Sequence, residues 1–364
     1  MAEQVIQKLW FFDKLLVQLF PIGLKHKTNF FRLLSVALQA GLGIRDALYS
    51  IRKSETHQWL VIVIDDIIAQ LSKWMSLPDA MRNHPYIFAT EEVALLESSQ
   101  VIGNMPEILQ DIAQELENMQ YIKQKITKAV IYPLILIFFT IIAVVILLIY
   151  VVPTIVSLFP SEAELPALTR FMLSASSFLQ YTRWIWPLVV LWIITLCKVL
   201  YESLLSFKIF VDDLVLHIPV VKNVVKAFYM YRFTKLLWQF YTAWLSSIVS
   251  LWLMKEVFSN FFYQKKALEI KSDLQSGFSF AESMEWSPLF DSIVVQIIAL
   301  GEKTGNIGSV LLSVSEYYRR SLDTKLAILM TFIEPLLLAW IAIIIGIVIW
   351  SIFLPMADLV SIIQ

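Results

Sequence analysis

The sequence predicts an all-α membrane protein with two homologous cytoplasmic helical-bundle domains and three transmembrane helices. Its 364 residues are 58% hydrophobic and 16% charged, with a mean hydropathy of +0.69. This composition is more apolar than that of ordinary soluble proteins. The chain also contains long uncharged apolar runs, and it repeats itself after 202 residues.

The internal repeat is seen in paired motifs. Four pairs are 202 residues apart: Gly103 and Gly305, Lys123 and Lys325, Pro133 and Pro335, Pro153 and Pro355. Further upstream the spacing is 203, as between Phe30 and Phe233, so one residue was gained or lost between the two blocks. Duplicating a helical domain together with a spanning helix gives two similar surfaces, which favours a scaffold over a single catalytic pocket.

The parts outside the apolar runs are predicted to be helical. Residues 1–28 form an N-terminal amphipathic segment, with its apolar side over 3–20, that covers the bundle or rests on headgroups. The first residues carry no pattern of a cleavable signal peptide. Apolar residues at helical spacing then predict a first bundle over 29–128 and a second over 202–325.

Three segments are predicted to cross the bilayer, which takes roughly 20 mainly apolar residues. They are 129–152, 184–201 and 326–355. A fourth apolar run, 236–254, has a repeat partner that carries charges such as Arg45 and Asp46. It therefore favours a buried cytoplasmic helix, and a fourth span is the alternative.

Basic residues predict the orientation, because cytoplasmic flanks are rich in Lys and Arg. They cluster before the first and third spans, as Lys123, Lys125 and Lys128 and as Arg319, Arg320 and Lys325. Both bundles and the N-terminus are thus expected in the cytoplasm. The loop 153–183 and the C-terminal tail 356–364 are expected outside.

Several functional classes find no support in the sequence. The net charge of -1 and the lack of a basic stripe argue against nucleic-acid binding. The four histidines are far apart, and Cys197 is the single cysteine, so we expect neither a metal site nor a disulfide within the chain. We find no catalytic constellation, no cofactor motif and no sign of an enzyme.

The candidate functional residues of the spans are one carboxylate and four prolines. Glu334 lies within the last apolar run, where an ionised carboxylate costs a few kcal/mol unless it is paired or near water. The alternative is a position near the headgroups or a bond to a neighbouring helix. Pro133 and Pro335 are predicted to form either a hinge or a fixed kink, while Pro153 and Pro355 are predicted to end their spans.

The remaining candidates lie in the segment Gly301-Glu302-Lys303-Thr304-Gly305. A phosphate loop requires Lys-Ser/Thr after the second glycine, and here the order differs. The segment is predicted to be a tight corner between helices. Glu302 either touches a partner there or caps a helix.

The motifs together resemble the type II secretion F or PilC-like family, the platform proteins of type IV pilus and type II secretion machines. The resemblance covers residue 30 to the C-terminus. It is carried by Gly103-Asn104-Met105-Pro106-Glu107, Tyr132-Pro133, Gly301-Glu302-Lys303-Thr304-Gly305 and Glu334-Pro335.

The resemblance implies a bacterial inner-membrane platform protein that couples a cytoplasmic hexameric assembly ATPase to pilin or pseudopilin insertion. It also implies inner-membrane alignment proteins as partners, and a homo-oligomer. Glu334 would transiently hold the basic N-terminal amine of a pilin. Pilus, secretion and DNA-uptake machines all fit, and a repeat-built membrane transporter is the alternative from another class.

The sequence departs from the family pattern at two positions. Gln100 occupies the place of a glutamate in the first copy, so only Glu302 keeps the acidic group. Trp244 occupies the place of a small residue, which predicts a local adjustment of helix packing in the second copy.

Overall fold

The protein is helical throughout the residues that the structure describes. The computed structural model describes residues 22–151, 153–154, 167–182, 185–285 and 287–363. Those ranges contain no strand, as the predicted all-α class requires. The segment predicted to be amphipathic over 3–20 lies outside them.

The helices follow one another with short connections. In chain order they are α1 Leu24–Gln39, α2 Ile44–Ser54, α3 Gln58–Leu71, α4 Leu77–Arg82, α5 Thr90–Ile102, α6 Met105–Ile146, α7 Ala167–Thr182, α8 Trp186–Ser203, α9 Leu205–His217, α10 Pro219–Thr242, α11 Ser247–Val257, α12 Phe261–Gln275, α13 Phe280–Met284, α14 Ser292–Thr304 and α15 Ile307–Ile363. A π-helical turn, Leu147–Val151, follows α6.

Contacts divide the chain into two compact units. The first unit is Met1–Gln124 with Asn223–Leu322, and the second is Lys125–Lys222 with Asp323–Gln364. The first unit therefore contains both repeat copies, whereas the sequence predicted two separate bundles. The reason is that the apolar faces of the copies are shared: Leu95 and Ile112 of the first copy line the same small cavity as Leu236 of the second.

The helices reproduce the repeat and show where its spacing changes. Met81 and Met284, both fully buried, are 203 residues apart, whereas Phe88 and Phe290 are 202 apart. The extra residue of the first copy therefore lies between Met81 and Phe88. The first copy also begins earlier than the predicted residue 29, because Thr28 is already buried in α1.

Two helical segments of the described residues meet the length and hydropathy of a membrane span, and their apolar parts lie in the second unit. They are Met105–Val151, within α6 and its π-helical turn, and Ile307–Ser351 in α15. Large apolar side chains along them, such as Phe138, Phe139 and Leu336, are more than half exposed, as expected of helices surrounded by lipid. A third candidate is the pair α8 and α9, which is bent by 104° at Leu204.

The apolar run 236–254 is not one helix. α10 ends at Thr242 and α11 begins at Ser247, and both contribute buried residues to the first unit. Among the described residues, this run is not one of the helices that are both long and apolar enough to span a membrane. The prediction that residues 236–254 are buried agrees with these helices. The prediction that they form one helix is wrong.

Two boundaries around the spans differ from the prediction. The segment 153–183, predicted to be a loop, contains α7, whose Met172 packs against Leu148 and Val348 of the two long helices. α15 does not end at Pro355 but continues to Ile363, so the predicted tail 356–364 is helical as far as residue 363. Pro355 removes the amide that would bond the Ser351 carbonyl. The Thr169 hydroxyl donates to that carbonyl instead, at 2.8 Å, which is how the helix tolerates the proline.

Candidate functional site

A buried charged cluster joins the two repeat copies within the first unit. Glu115 of α6 accepts a hydrogen bond from the Tyr231 hydroxyl of α10 at 2.7 Å. Its other oxygen lies 3.4 Å from the Arg232 guanidinium. Lys235, one turn further along α10, is also buried. The cluster fixes the position of α10 along α6.

Burial shifts the titration of this cluster. It raises the pKa of the Glu115 carboxyl, and the Arg232 guanidinium opposes the shift. It lowers the pKa of the Lys235 ammonium, which Glu115 and Asp111 oppose. Both shifts disfavour the charged forms, so each charge depends on its partners to remain ionised.

The sequence did not identify this cluster as a site, although one signal was present. Glu115 lies seven residues after Ile108 and three after Ile112, on the buried face of α6. A carboxylate on such a face needs a partner. That partner, Arg232, lies 117 residues away along the chain, beyond the reach of any local pattern.

Glu302 has its partners within its own repeat copy. Its carboxylate oxygens accept hydrogen bonds from the backbone amides of Phe280 and Ala281, at 2.8 and 3.1 Å. These are the first two residues of α13, so Glu302 caps the N-terminus of that helix. Of the two roles that the sequence left open, this geometry is that of the helix cap.

The same geometry accounts for Gln100 in the first copy. The residues equivalent to Phe280 and Ala281 are Leu77 and Pro78, which begin α4. Proline has no amide hydrogen, so a second carboxylate oxygen would find no donor there. In this chain the acidic residue thus lies in the copy whose helix offers two amides to bind.

Replacing Glu302 with Ala is expected to destabilise the first unit by about 1–2 kcal/mol, because two helix N-terminal amides lose their acceptor. Gln100→Ala is the matched control at the equivalent position and is expected to change the free energy of unfolding by less than about 0.5 kcal/mol. Thermal unfolding of the full chain in detergent measures both. Equal effects of the two changes would contradict the capping role.

Gly301 and Gly305 form a tight corner between α14 and α15. Gly305 has φ of +68° in the left-handed region, as Gly103 has at +87° in the first copy. A Cβ on Gly301 would lie 3.1 Å from the Val310 side chain and 3.3 Å from the Ile307 backbone. These glycines thus allow close helix packing, as the predicted interhelix corner requires.

Two tryptophans occupy left-handed backbone positions where the other copy has glycine. Trp244, with φ of +56°, corresponds to Gly41, and Trp74, with φ of +65°, corresponds to Gly277. The corner at Trp244 has the same backbone hydrogen bonds as the corner at Gly41. The Trp244 side chain is 82% exposed. The predicted adjustment of packing is therefore wrong, because the indole points to the surface and the turn is unchanged.

Glu334 and the central prolines lie on the lipid-exposed part of the long helices. Glu334 is exposed on the single chain, next to Pro335, and its repeat counterpart is Tyr132 beside Pro133. α6 continues through Pro133 and α15 through Pro335. The contact of Glu334 with a subunit and the hinge at the prolines stay predictions.

Polar contacts fix both ends of the membrane helices. Lys125 of α6 and Asp323 of α15 form an ion pair of 2.7 Å before the apolar stretches begin. At the other end, Pro153 follows the π-helical turn, and the Ser176 hydroxyl of α7 donates to the Leu148 carbonyl of that turn at 2.6 Å. A hydroxyl partner of this kind stabilises irregular backbone within a membrane helix.

Among the described residues, no group of three or more His, Cys, Asp or Glu side chains is arranged to hold a metal ion. The arrangement instead consists of two similar helical copies held together by buried charges, and of long apolar helices that begin in each copy.

Comparison with known proteins agrees with this organisation. The family model of type II secretion system (T2SS), protein F matches residues 30–153 and 248–355. Type IV pilus assembly protein PilC of Pseudomonas aeruginosa is 28% identical over 301 residues, which are 82% of this chain and 80% of the relative. Type II secretion system protein F of Vibrio cholerae is 25% identical over 337 residues, 92% of this chain and 80% of the relative.

PilC of Thermus thermophilus is 26% identical over 342 residues, 93% of this chain and 84% of the relative. The family model covers more than half of the chain, in two blocks, one in each repeat copy with its long helix, and the second block begins after α10. The protein is a membrane protein that belongs to the family of type II secretion system protein F.

Proposed function

We propose that this chain is an inner-membrane platform protein of a type IV pilus or type II secretion machine. It couples a cytoplasmic hexameric assembly ATPase to the insertion of pilin or pseudopilin subunits. Membership of the protein F family supports the proposal, as do the names of the PilC and protein F relatives.

The observation that carries the proposal is the continuity of the two long helices. α6 and α15 each begin in a repeat copy and continue without interruption into an apolar stretch of membrane length. A continuous helix passes a displacement of one end to the other. Movement of a copy by an external motor would therefore reach the bilayer.

The proposed topology has three crossings, by α6, α8 and α15. Basic residues precede the apolar parts of α6 and α15, which supports a cytoplasmic location of the repeat copies and the N-terminus. The C-terminus then lies outside the inner membrane. A phosphatase fused after Gln364 tests this, because it is active only outside the cytoplasm.

The lipid-exposed faces of the long helices would receive the subunits. Side chains such as Phe139, Leu336 and Trp340 are exposed on the single chain. A pilin subunit, an alignment protein or a second copy of this chain can replace lipid on such faces by close helix packing. Glu334 lies on this surface of α15.

Site-specific photo-crosslinking tests the coupling. Val101 and Lys303 are exposed and occupy equivalent positions in the two copies, so a crosslinking residue at each samples both surfaces. We expect the assembly ATPase co-expressed with this chain, identified by immunoblot, to be captured from at least one of them.

Leu191 on α8 is exposed on the single chain and is the matched control, because a lipid-facing position should not capture the ATPase. Capture of the ATPase from Leu191 alone, or from none of the three positions, would contradict the coupling. Solute uptake by vesicles containing the purified protein would instead support the transporter alternative.

A further inference from the structure

α8 and α9 form an elbow, which connects the second candidate span to the second repeat copy. α8 ends at Ser203, α9 begins at Leu205, and the axes are bent by 104°. The Tyr201 hydroxyl donates to the carboxylate of Asp212 at 2.9 Å, and Asp212 is buried. This bond ties the end of α8 to the middle of α9 and holds the bend.

α9 carries an exposed apolar stripe. Phe210, Leu214 and Ile218 follow one another at four-residue spacing, along α9 and its C-cap, and are 64%, 50% and 43% exposed. Residues spaced in this way lie on one side of a helix. Beside the stripe run Asp213 and His217, which are exposed and 3.4 Å apart. The helix is therefore apolar on one side and charged on its flank.

The stripe continues the lipid-facing surface of α8. Leu191 and Ile194 of α8 are exposed, and Leu204 and Leu205 at the elbow are also more than half exposed. Val199, between them, is also 53% exposed, so exposed apolar side chains extend from α8 to the elbow. The exposed apolar side chains of α8 and of α9 are therefore both suited to contact with lipid.

The length of α8 indicates where the elbow lies. α8 runs from Trp186 to Ser203, and a helix of this length spans about 27 Å, close to the roughly 30 Å of the hydrocarbon core. α8 alone is thus long enough to cross, and its exposed polar end, Glu202 and Ser203, coincides with the elbow. If α8 and α9 crossed together as one broken span, Glu202 would lie in the hydrocarbon at a cost of a few kcal/mol.

We propose that α9 is an interfacial helix that lies along the bilayer surface, with its stripe of Phe210, Leu214 and Ile218 in the lipid, while α8 alone makes the crossing. A helix bent by 104° from a crossing helix runs nearly parallel to the membrane plane. The contact is mainly apolar, because Lys208 on α9 is offset by Asp212 and Asp213. Binding at this surface is therefore expected to be insensitive to salt.

Spin labels on the full-length protein in vesicles of phosphatidylethanolamine and phosphatidylglycerol test the proposal. Cys197, the single cysteine, is replaced by Ala, and single cysteines are introduced at Phe210, Leu214 or Ile218 on the stripe and at Asp213 on the flank. Leu191→Cys on α8 provides the reference for a deeply buried label. Three stripe positions keep the test valid if one variant fails to fold.

Collisions of each label with oxygen and with a water-soluble nickel chelate give its depth. We expect stripe labels about 5–10 Å below the headgroups, a Leu191 label deeper than these, and an Asp213 label open to the chelate at low and high salt. An Asp213 label as shielded as that at Leu191 would mean a broken span and would overturn the proposal. Stripe labels open to the chelate would overturn it as well. Dipolar broadening between stripe labels of two chains would also overturn the proposal if it persisted on dilution with lipid. It would mean that a second copy of the chain covers the stripe.

Discussion

Replacing Glu115 with Ala is expected to lower the free energy of unfolding of the first unit by about 3–5 kcal/mol, because removing one partner leaves buried charges uncompensated. The Arg232 side chain is 15% exposed and Lys235 is buried, so water compensates little for the lost carboxylate. For a unit of this size, the loss corresponds to a fall in Tm of roughly 6–20 °C. Thermal unfolding of the full chain in detergent, followed by circular dichroism, measures it.

Glu117→Ala is the matched control. Glu117 lies two residues further along α6 and pairs with Arg32 at 2.5 Å, but both side chains are nearly half exposed. Exposed ion pairs contribute about 0–1 kcal/mol, so this change should lower the Tm by a few degrees at most. If Glu115→Ala costs no more than Glu117→Ala, the cluster does not hold the copies together.

A double replacement separates charge from packing. Changing Glu115 and Arg232 together to Met removes both the carboxylate and its closest cation while keeping apolar volume. Replacing both members of a buried pair in this way is often neutral or stabilising. We therefore expect the double variant to recover part of the stability that Glu115→Ala loses. A double variant less stable than Glu115→Ala would instead show that Arg232 stabilises the unit through contacts other than its pair with Glu115.

The local features of the fold could be predicted from the sequence because they depend on neighbouring residues. Gly103 and Gly305 each follow the last residue of a helix and have a left-handed backbone, which glycine adopts most readily. The apolar parts of α6 and α15 are recognisable in the sequence by their length and hydropathy. The repeat then predicted that the second copy would follow the helix order of the first.

The association of the copies could not be predicted, because it depends on contacts between residues far apart in the chain. Glu115 and Arg232 each read as polar positions on separate amphipathic helices, and only their packing reveals them as partners. The elbow at Leu204 was missed for a related reason. Apolar residues continue through the elbow, so the hydropathy of the sequence gives no sign that the helix changes direction there.

Some substitutions were visible in the sequence but needed the structure to be understood. Gln100 in place of an acid is explained by Pro78, which removes the second donor. Trp244 in place of a small residue leaves the backbone turn unchanged. A left-handed tryptophan costs about 1–2 kcal/mol relative to a right-handed conformation, and the turn retains its shape because its neighbours Ala243 and Leu245 keep the helix-ending hydrogen bonds.

Replacing Glu334 with Gln is expected to reduce pilus or pseudopilus assembly by at least about ten-fold at an unchanged level of the protein. The change keeps the shape of the side chain and removes its charge. A hydrogen bond between charged groups contributes about 1.5–3 kcal/mol, and each 1.4 kcal/mol is a factor of ten in affinity. If the carboxylate holds the amine of an incoming subunit, the neutral amide loses most of that affinity. Assembled pili or pseudopili, sheared from cells and quantified by immunoblot, provide the measurement.

Tyr132→Phe is the matched control, because Tyr132 is the repeat counterpart of Glu334 and is also exposed beside a proline. It removes one polar atom at the same place in the other long helix and should leave assembly within about two-fold of the wild type, since no charge is lost. Glu334→Asp should restore part of the assembly, because the negative charge is retained on a shorter side chain. The alternative, that Glu334 only bonds a neighbouring helix of its own chain, predicts that Glu334→Gln lowers the Tm of the purified protein. Normal assembly by Glu334→Gln at normal protein levels would remove the carboxylate from the mechanism.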